Sequence, residues 1–173
     1  FNNNWYLFYH NGTLAIDGYS GGGGRRSVCV EKLNYNDDGT MQFVNPTSQG
    51  IAPATPQHNS FGGMPMAQLK YTADPSPIVI NDTIFLYTSH DEDDAEGYGF
   101  KMFDWILYTT TDMVNFTEHG KVASLDAFKW KKSENGAWAQ QVVERNGKYY
   151  MYCPLHGNGI GVLVADSPYG PFV

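Results

Sequence analysis

The stretch IVINDTIFLYTSHDE, residues 78–92, followed after a polar loop by WILYTTTDM, residues 105–113, decides the fold. It reads as an Asn-containing turn, an aromatic strand, a polar loop and a second apolar strand. The theme is written twice more. Upstream it runs NNNWYLFYHNG (2–12), a Gly-rich loop, then RRSVCVEKL (25–33); downstream it runs VVERNGKYYMYCPLH (142–156), then GIGVLVADS (159–167). Asn146-Gly147 supplies the positive-φ pair that a tight hairpin prefers. Each copy predicts neighbouring antiparallel strands, a β-meander. The interval from Ile84 to Tyr149, about 65 residues, suits a four-stranded propeller blade carrying long loops.

Composition supports an all-β reading. Aromatic residues make up 15% of the 173 residues, and 19 Gly with 9 Pro favour short strands and tight turns over long helices. One segment, Leu125 to Lys132, has some helical spacing but sits between strands, and reads as a loop or a single turn. Between the first and second copies, Asn45 to Met66 is low in charge and holds Pro46, Pro53, Pro56 and Pro65, the composition of a junction or linker. The division that follows is 1–44, 45–66 and 67–173.

A net charge of −7 without any dense Lys/Arg stretch argues against a nucleic-acid or anionic-membrane partner, since those surfaces bind through accumulated positive charge. No apolar run reaches the length of a membrane span, which leaves a soluble protein, cytoplasmic or secreted. Phe1 in place of Met points to a trimmed or cleaved start. Cys29 and Cys153 lie far apart in apolar, strand-like runs and read as buried free thiols. The sequons at Asn11, Asn81 and Asn115 matter only in a eukaryotic secretory pathway.

Several phrases resemble glycoside hydrolase family 43, particularly its β-xylosidase and α-L-arabinofuranosidase members. Asp74-Pro-Ser-Pro resembles the opening of that family's first blade, and TTTDMVNFTEHG (109–120) its blade-ending strand and turn. AWAQQVVERNGKYYMY (137–152) and VADSPYGPF (164–172) resemble the second blade. WYLFYHNG (5–12) and GGGGRRSVCVEKLNYNDDGT (21–40) resemble the end of the family's catalytic domain, so the end precedes the beginning. The resemblance implies a five-bladed β-propeller of which this chain holds about three partial blades: the last in 1–44, the first and second in 67–173. The middle blades would lie beyond these residues, and a homo-oligomer is one way to close the ring.

For function the resemblance implies an inverting exo-glycosidase that releases xylose or arabinose from plant-polysaccharide oligosaccharides. In that chemistry one carboxylate activates water while another, about 6.5–9.5 Å away, protonates the leaving oxygen. Asp74 matches the family's general base, at the head of an innermost strand with Pro75 holding its backbone extended. The family's general acid, a Glu, and the Asp that tunes it belong to blades not seen here, so no acid is assigned. An arginine after the glycine run would bond vicinal hydroxyls; strand alternation sends Arg25 and Arg26 to opposite faces, and Arg26 is preferred. Gly21 to Gly24 lack the Lys-Ser/Thr of a phosphate loop and read as a flexible loop.

Trp138 would wall the pentose subsite, the other reading being a core tryptophan, whereas Trp5 and Trp105 are expected in the core. His90 either borders the pocket or is structural. The run that it begins, HDEDDAE, lacks EF-hand spacing and reads as a solvated acidic loop rather than a metal site. No cofactor is required. The resemblance adds a structural calcium ion on the propeller axis, held partly by a histidine on a strand just before Phe1. The alternative function is a non-catalytic carbohydrate-binding or structural half-propeller that lacks the acid.

Overall fold

A computed structural model of the chain describes residues 1–47, 51, 66, 69–96 and 99–173. Most of the junction 45–66 therefore lies outside the described residues. Eleven strands follow in chain order: β1 (Trp5–Asn11), β2 (Ala15–Ile16), β3 (Tyr19–Ser20), β4 (Ser27–Leu33), β5 (Tyr71–Ile80), β6 (Thr83–Asp91), β7 (Asp104–Thr110), β8 (Thr117–Ser124), β9 (Gln141–Arg145), β10 (Lys148–Leu155) and β11 (Gly159–Ala165). A single turn of 3-10 helix, Leu125–Ala127, stands where a loop or turn is expected.

β5 to β8 form one antiparallel sheet in sequence order, β9 to β11 a second, and β1 pairs with β4 in a third. The hairpin turns obey local chemistry. Asn146 and Gly147 take φ of 53° and 74°, joining the Arg145–Lys148 pair through the two-residue turn that matches strand twist. Asn81, at φ 53°, begins the equivalent turn between Ile80 and Thr83.

Alternation along β6 explains how three sheets become one body. Phe85 and Tyr87 point into a core shared with β9–β11 through Met151, Cys153 and Leu163. Ile84 and Leu86 point the other way, into a core shared with Val28 and Val30 of β4. Four consecutive apolar residues on one strand are what a sheet buried on both faces needs. Trp105 is fully buried, its indole N–H donating to the Trp138 carbonyl at 2.8 Å. Trp5 departs from the expected core position: it is 65% exposed, its ring set edge-on to Tyr35, because β1 turns one face toward the core and Trp5 and Leu7 to the other.

The glycine run is not a loose loop. A Cβ at Gly21 would fall 2.5 Å from the carbonyl oxygens of Gly12 and Leu14, and one at Gly24 would fall 2.0 Å from the Gly99 oxygen. Close backbone approach, rather than flexibility, calls for glycine there. Cys29 and Cys153 are buried and unbridged, and burial pushes each thiol pKa up to about 12.

Candidate active site

Asp74 lies at a break in the β5–β6 ladder. Ala73 pairs with Ser89 and Ser76 with Tyr87, so Asp74 and Pro75 together oppose Thr88 alone. This two-against-one bulge re-aims a side chain. The backbone of Asp74 is not extended as Pro75 leads one to expect, but left-handed at φ 51°. The surroundings sustain it: the Asp74 N–H donates to His10 Nδ1 at 3.0 Å, and Ser89 Oγ donates to Asp74 Oδ2 at 2.9 Å. His10 accepts through Nδ1, and burial with the nearby Arg26 cation lowers its pKa, consistent with a neutral ring.

Arg26 and Arg25 part company as alternation demands. Arg25 turns outward, its Nε donating to the Ser20 carbonyl at 2.7 Å, with a further bond to the Ala95 carbonyl and the Tyr19 ring beneath it. Arg26 enters the site. Asp91, wholly buried, accepts the Arg26 backbone N–H at 2.8 Å and Nε at 2.9 Å through Oδ2, and Nη2 at 2.9 Å through Oδ1. Burial alone would lower the guanidinium pKa; the bonds and charge of Asp91 outweigh it and raise it instead. Held flat in this way, Arg26 stacks over Phe100 at 4.8 Å and leaves Nη1 3.5 Å from Asp74 Oδ1.

Trp138 completes the wall just ahead of β9. Its indole N–H donates to His156 Nδ1 at 3.2 Å, and its ring meets Phe100 edge-on at 5.6 Å. Arg26, Asp74, Phe100, Trp138 and Ala139 line a concavity of about 250 Å³. A wider one of about 610 Å³ adjoins it, sharing Asp74 and Ala139 and lined also by Phe8, Tyr9, His10, Gln140 and Gln141. Among the described residues Asp74 is the one carboxylate lining either. Gln140 accepts from Ser89 Oγ at 3.4 Å, while its buried Nε2 has no partner among the described residues.

His90 lies elsewhere. Ser89 and Asp91 face the site, so the intervening side chain faces away and meets Asp104 and Glu92 instead. The residues that sequence reasoning passed over are His10, Ser89, Asp91, Phe100 and Gln140. Asp91 sat inside a run read only as acidic loop, and its partner stands 65 positions away.

Residues 65–173 match the family model described as Glycosyl hydrolases family 43. Over 114 residues the chain is 37% identical to a xylosidase/arabinosidase of Bacteroides ovatus, covering 60% of this chain and 34% of that protein. A beta-xylosidase of Xylanibacter ruminicola is 34% identical over 115 residues, or 60% of this chain and 35% of that protein. Among solved structures, the GH43_1 enzyme from Xanthomonas citri complexed with xylose superposes with a TM-score of 0.56 at 35% identity, over 63% of this chain and 33% of that one. The chain spans about a third of the length of the curated relatives that it matches.

Proposed function

The chain belongs to glycosyl hydrolases family 43, its solved neighbours being five-bladed β-propellers, and on that premise we propose that it carries the base side of an inverting exo-glycosidase site for terminal xylose or arabinose. The observation that carries the reading is the convergence of Asp74, Arg26 and Trp138 on one concavity from three different sheets or their flanks. A carboxylate, a flat hydrogen-bond fork and an indole face are what a pentose with vicinal hydroxyls and C–H faces asks of a protein.

In this reading Asp74 Oδ2 is anchored by Ser89 and Oδ1 takes the proton of the attacking water. Arg26 bonds sugar hydroxyls, and Trp138 packs the ring. No general acid is assigned among these residues. The β1–β4 pair lies against β5, which supports reading 1–44 as a last blade beside the first. A calcium ion on the propeller axis, which the resemblance suggests with a histidine from a strand before Phe1, would draw most of its shell from oxygen donors and water. Its chemistry there would be electrostatic and structural.

The test is hydrolysis of p-nitrophenyl β-xyloside and α-L-arabinofuranoside by the purified chain beside Asp74→Asn. p-Nitrophenolate leaves with little help from an acid, so the base alone is read out. Release that falls by about 10²–10⁴-fold in the variant is expected; equal release by both proteins would remove Asp74 from the role. The second reading, a non-catalytic carbohydrate-binding half-propeller, is favoured by Asp74 being the one carboxylate among the described residues that lines the concavities. Xylose binding that depends on Trp138, with no release from either substrate, would decide for it.

A further inference from the structure

On the opposite side of β6 from the sugar pocket, three side chains that ligate metals converge. His90 Nδ1 lies 2.9 Å from Asp104 Oδ1 and 3.6 Å from Glu92 Oε1, and the three donor atoms lie within 4.8 Å of one another. We propose that His90, Glu92 and Asp104 bind a divalent cation of the zinc type at the root of the β6–β7 hairpin.

Three observations support the assignment. The first is preorganisation of the backbone. His90 is paired with Thr72 of β5, Asp104 with Ser124 of β8, and the Glu92 N–H donates to the Lys101 carbonyl at 2.9 Å. No ligand has to be recruited from a disordered segment. The second is charge. The two lysines closest to hand are taken by other carboxylates, Lys70 by Glu118 and Lys101 by Asp94. Among the described residues the direct side-chain ion pairs of Glu92 and Asp104 are with His90, although Lys101 also acts on the charge of Glu92.

The third is ligand type and span. One imidazole nitrogen and two carboxylate oxygens suit a borderline ion, whereas calcium and magnesium prefer shells made mostly of oxygen. Tetrahedral bonds of about 2.0–2.1 Å put donors roughly 3.3 Å apart, so His90 and Asp104, at 2.9 Å, would part slightly while the Glu92 side chain closes in. All three side chains are between 17% and 28% exposed, which leaves a fourth position open to water. The ion would displace the proton from His90 Nδ1 and neutralise both carboxylates. It would also brace Asp91, which lies between two of the ligands and holds Arg26 on the other side.

The site is independent of the sugar chemistry, so its test needs no turnover. The full chain is titrated calorimetrically with zinc chloride at pH 7.5, beside His90→Gln, Asp104→Asn and, as a control for a surface imidazole, His119→Gln. One equivalent is expected, weakened by at least about ten-fold in the first two variants and unchanged in the third. Should a variant lose its β-sheet circular dichroism, Glu92→Gln, beyond the end of β6, is expected to show the same loss. Absence of zinc binding, binding unaltered by every ligand substitution, or tighter binding of calcium or magnesium than zinc would each overturn the proposal.

Discussion

The β5–β8 sheet and the β1–β4 pair are built from similar sequence, yet they hold their aromatic residues differently. In β6 and β7 nearly every side chain is buried, because the sheet is packed on both faces. In β1 the residues alternate between half-buried and exposed, with Trp5 and Leu7 turned outward. The difference teaches that a strand's apolar content reports how many neighbours it is written for. The pair nonetheless brings Arg26 and His10 to the site that the sheet supplies with Asp74, Ser89 and Asp91, and the Arg26–Asp91 bond joins the two regions.

That joint is where the comparison can be broken most severely. Asp91→Ala strands a partly buried guanidinium, and urea unfolding is expected to show a loss of about 3–5 kcal/mol. A loss below about 1 kcal/mol would mean that pair and sheet hold together without the ion pair. The two tryptophans sharpen the contrast. Trp105→Ala should cost about 3–5 kcal/mol by the same measurement, whereas Trp5→Ala, exposed on the open face, should stay within roughly 0.5–1 kcal/mol. Equal costs would show that β1 is covered in solution.

A smaller effect is expected at Gly161 of β11, where a Cβ would lie 2.2 Å from the Phe128 ring. Gly161→Ala should destabilise by about 1–3 kcal/mol through overpacking. The mildest expectation is equality between the regions. Cys29 in the pair and Cys153 in β10 both have thiol pKa values raised to about 12 by burial. At pH 8 the reactive thiolate is scarce in the folded state and abundant once unfolding restores the ordinary value, so a disulfide reagent should modify both slowly in buffer and rapidly in urea. Fast native reaction of Cys29 alone would show that the pair opens by itself.

The meanders were legible because turn chemistry and apolar runs are local: Asn146-Gly147 and IFLY announce a hairpin and a buried strand without reference to anything distant. Asp74, Arg26 and Trp138 were singled out through family phrasing, and strand alternation said that only one of Arg25 and Arg26 would turn to their concavity, Arg26 being the one preferred. Other features were not. Trp5 is as aromatic as Trp105, and only the tertiary count of sheets separates them. The left-handed backbone of Asp74 ran against the local preference imposed by Pro75, since His10, 64 positions away, holds it there. His90 shares a run with Asp91, and nothing in that run says that the two side chains serve opposite faces of one strand.

The bulge at Asp74 carries a consequence for how such a site can change over generations. Two residues of β5 stand against one of β6, so losing a single codon there would restore an unbroken ladder in which Ala73 and Ser76 keep their partners Ser89 and Tyr87, while the side chain that the bulge re-aims is lost. The position of Asp74 is thus written as a length as much as a residue type. Substitutions leave that length untouched, whereas a one-residue deletion would erase the site while improving the sheet.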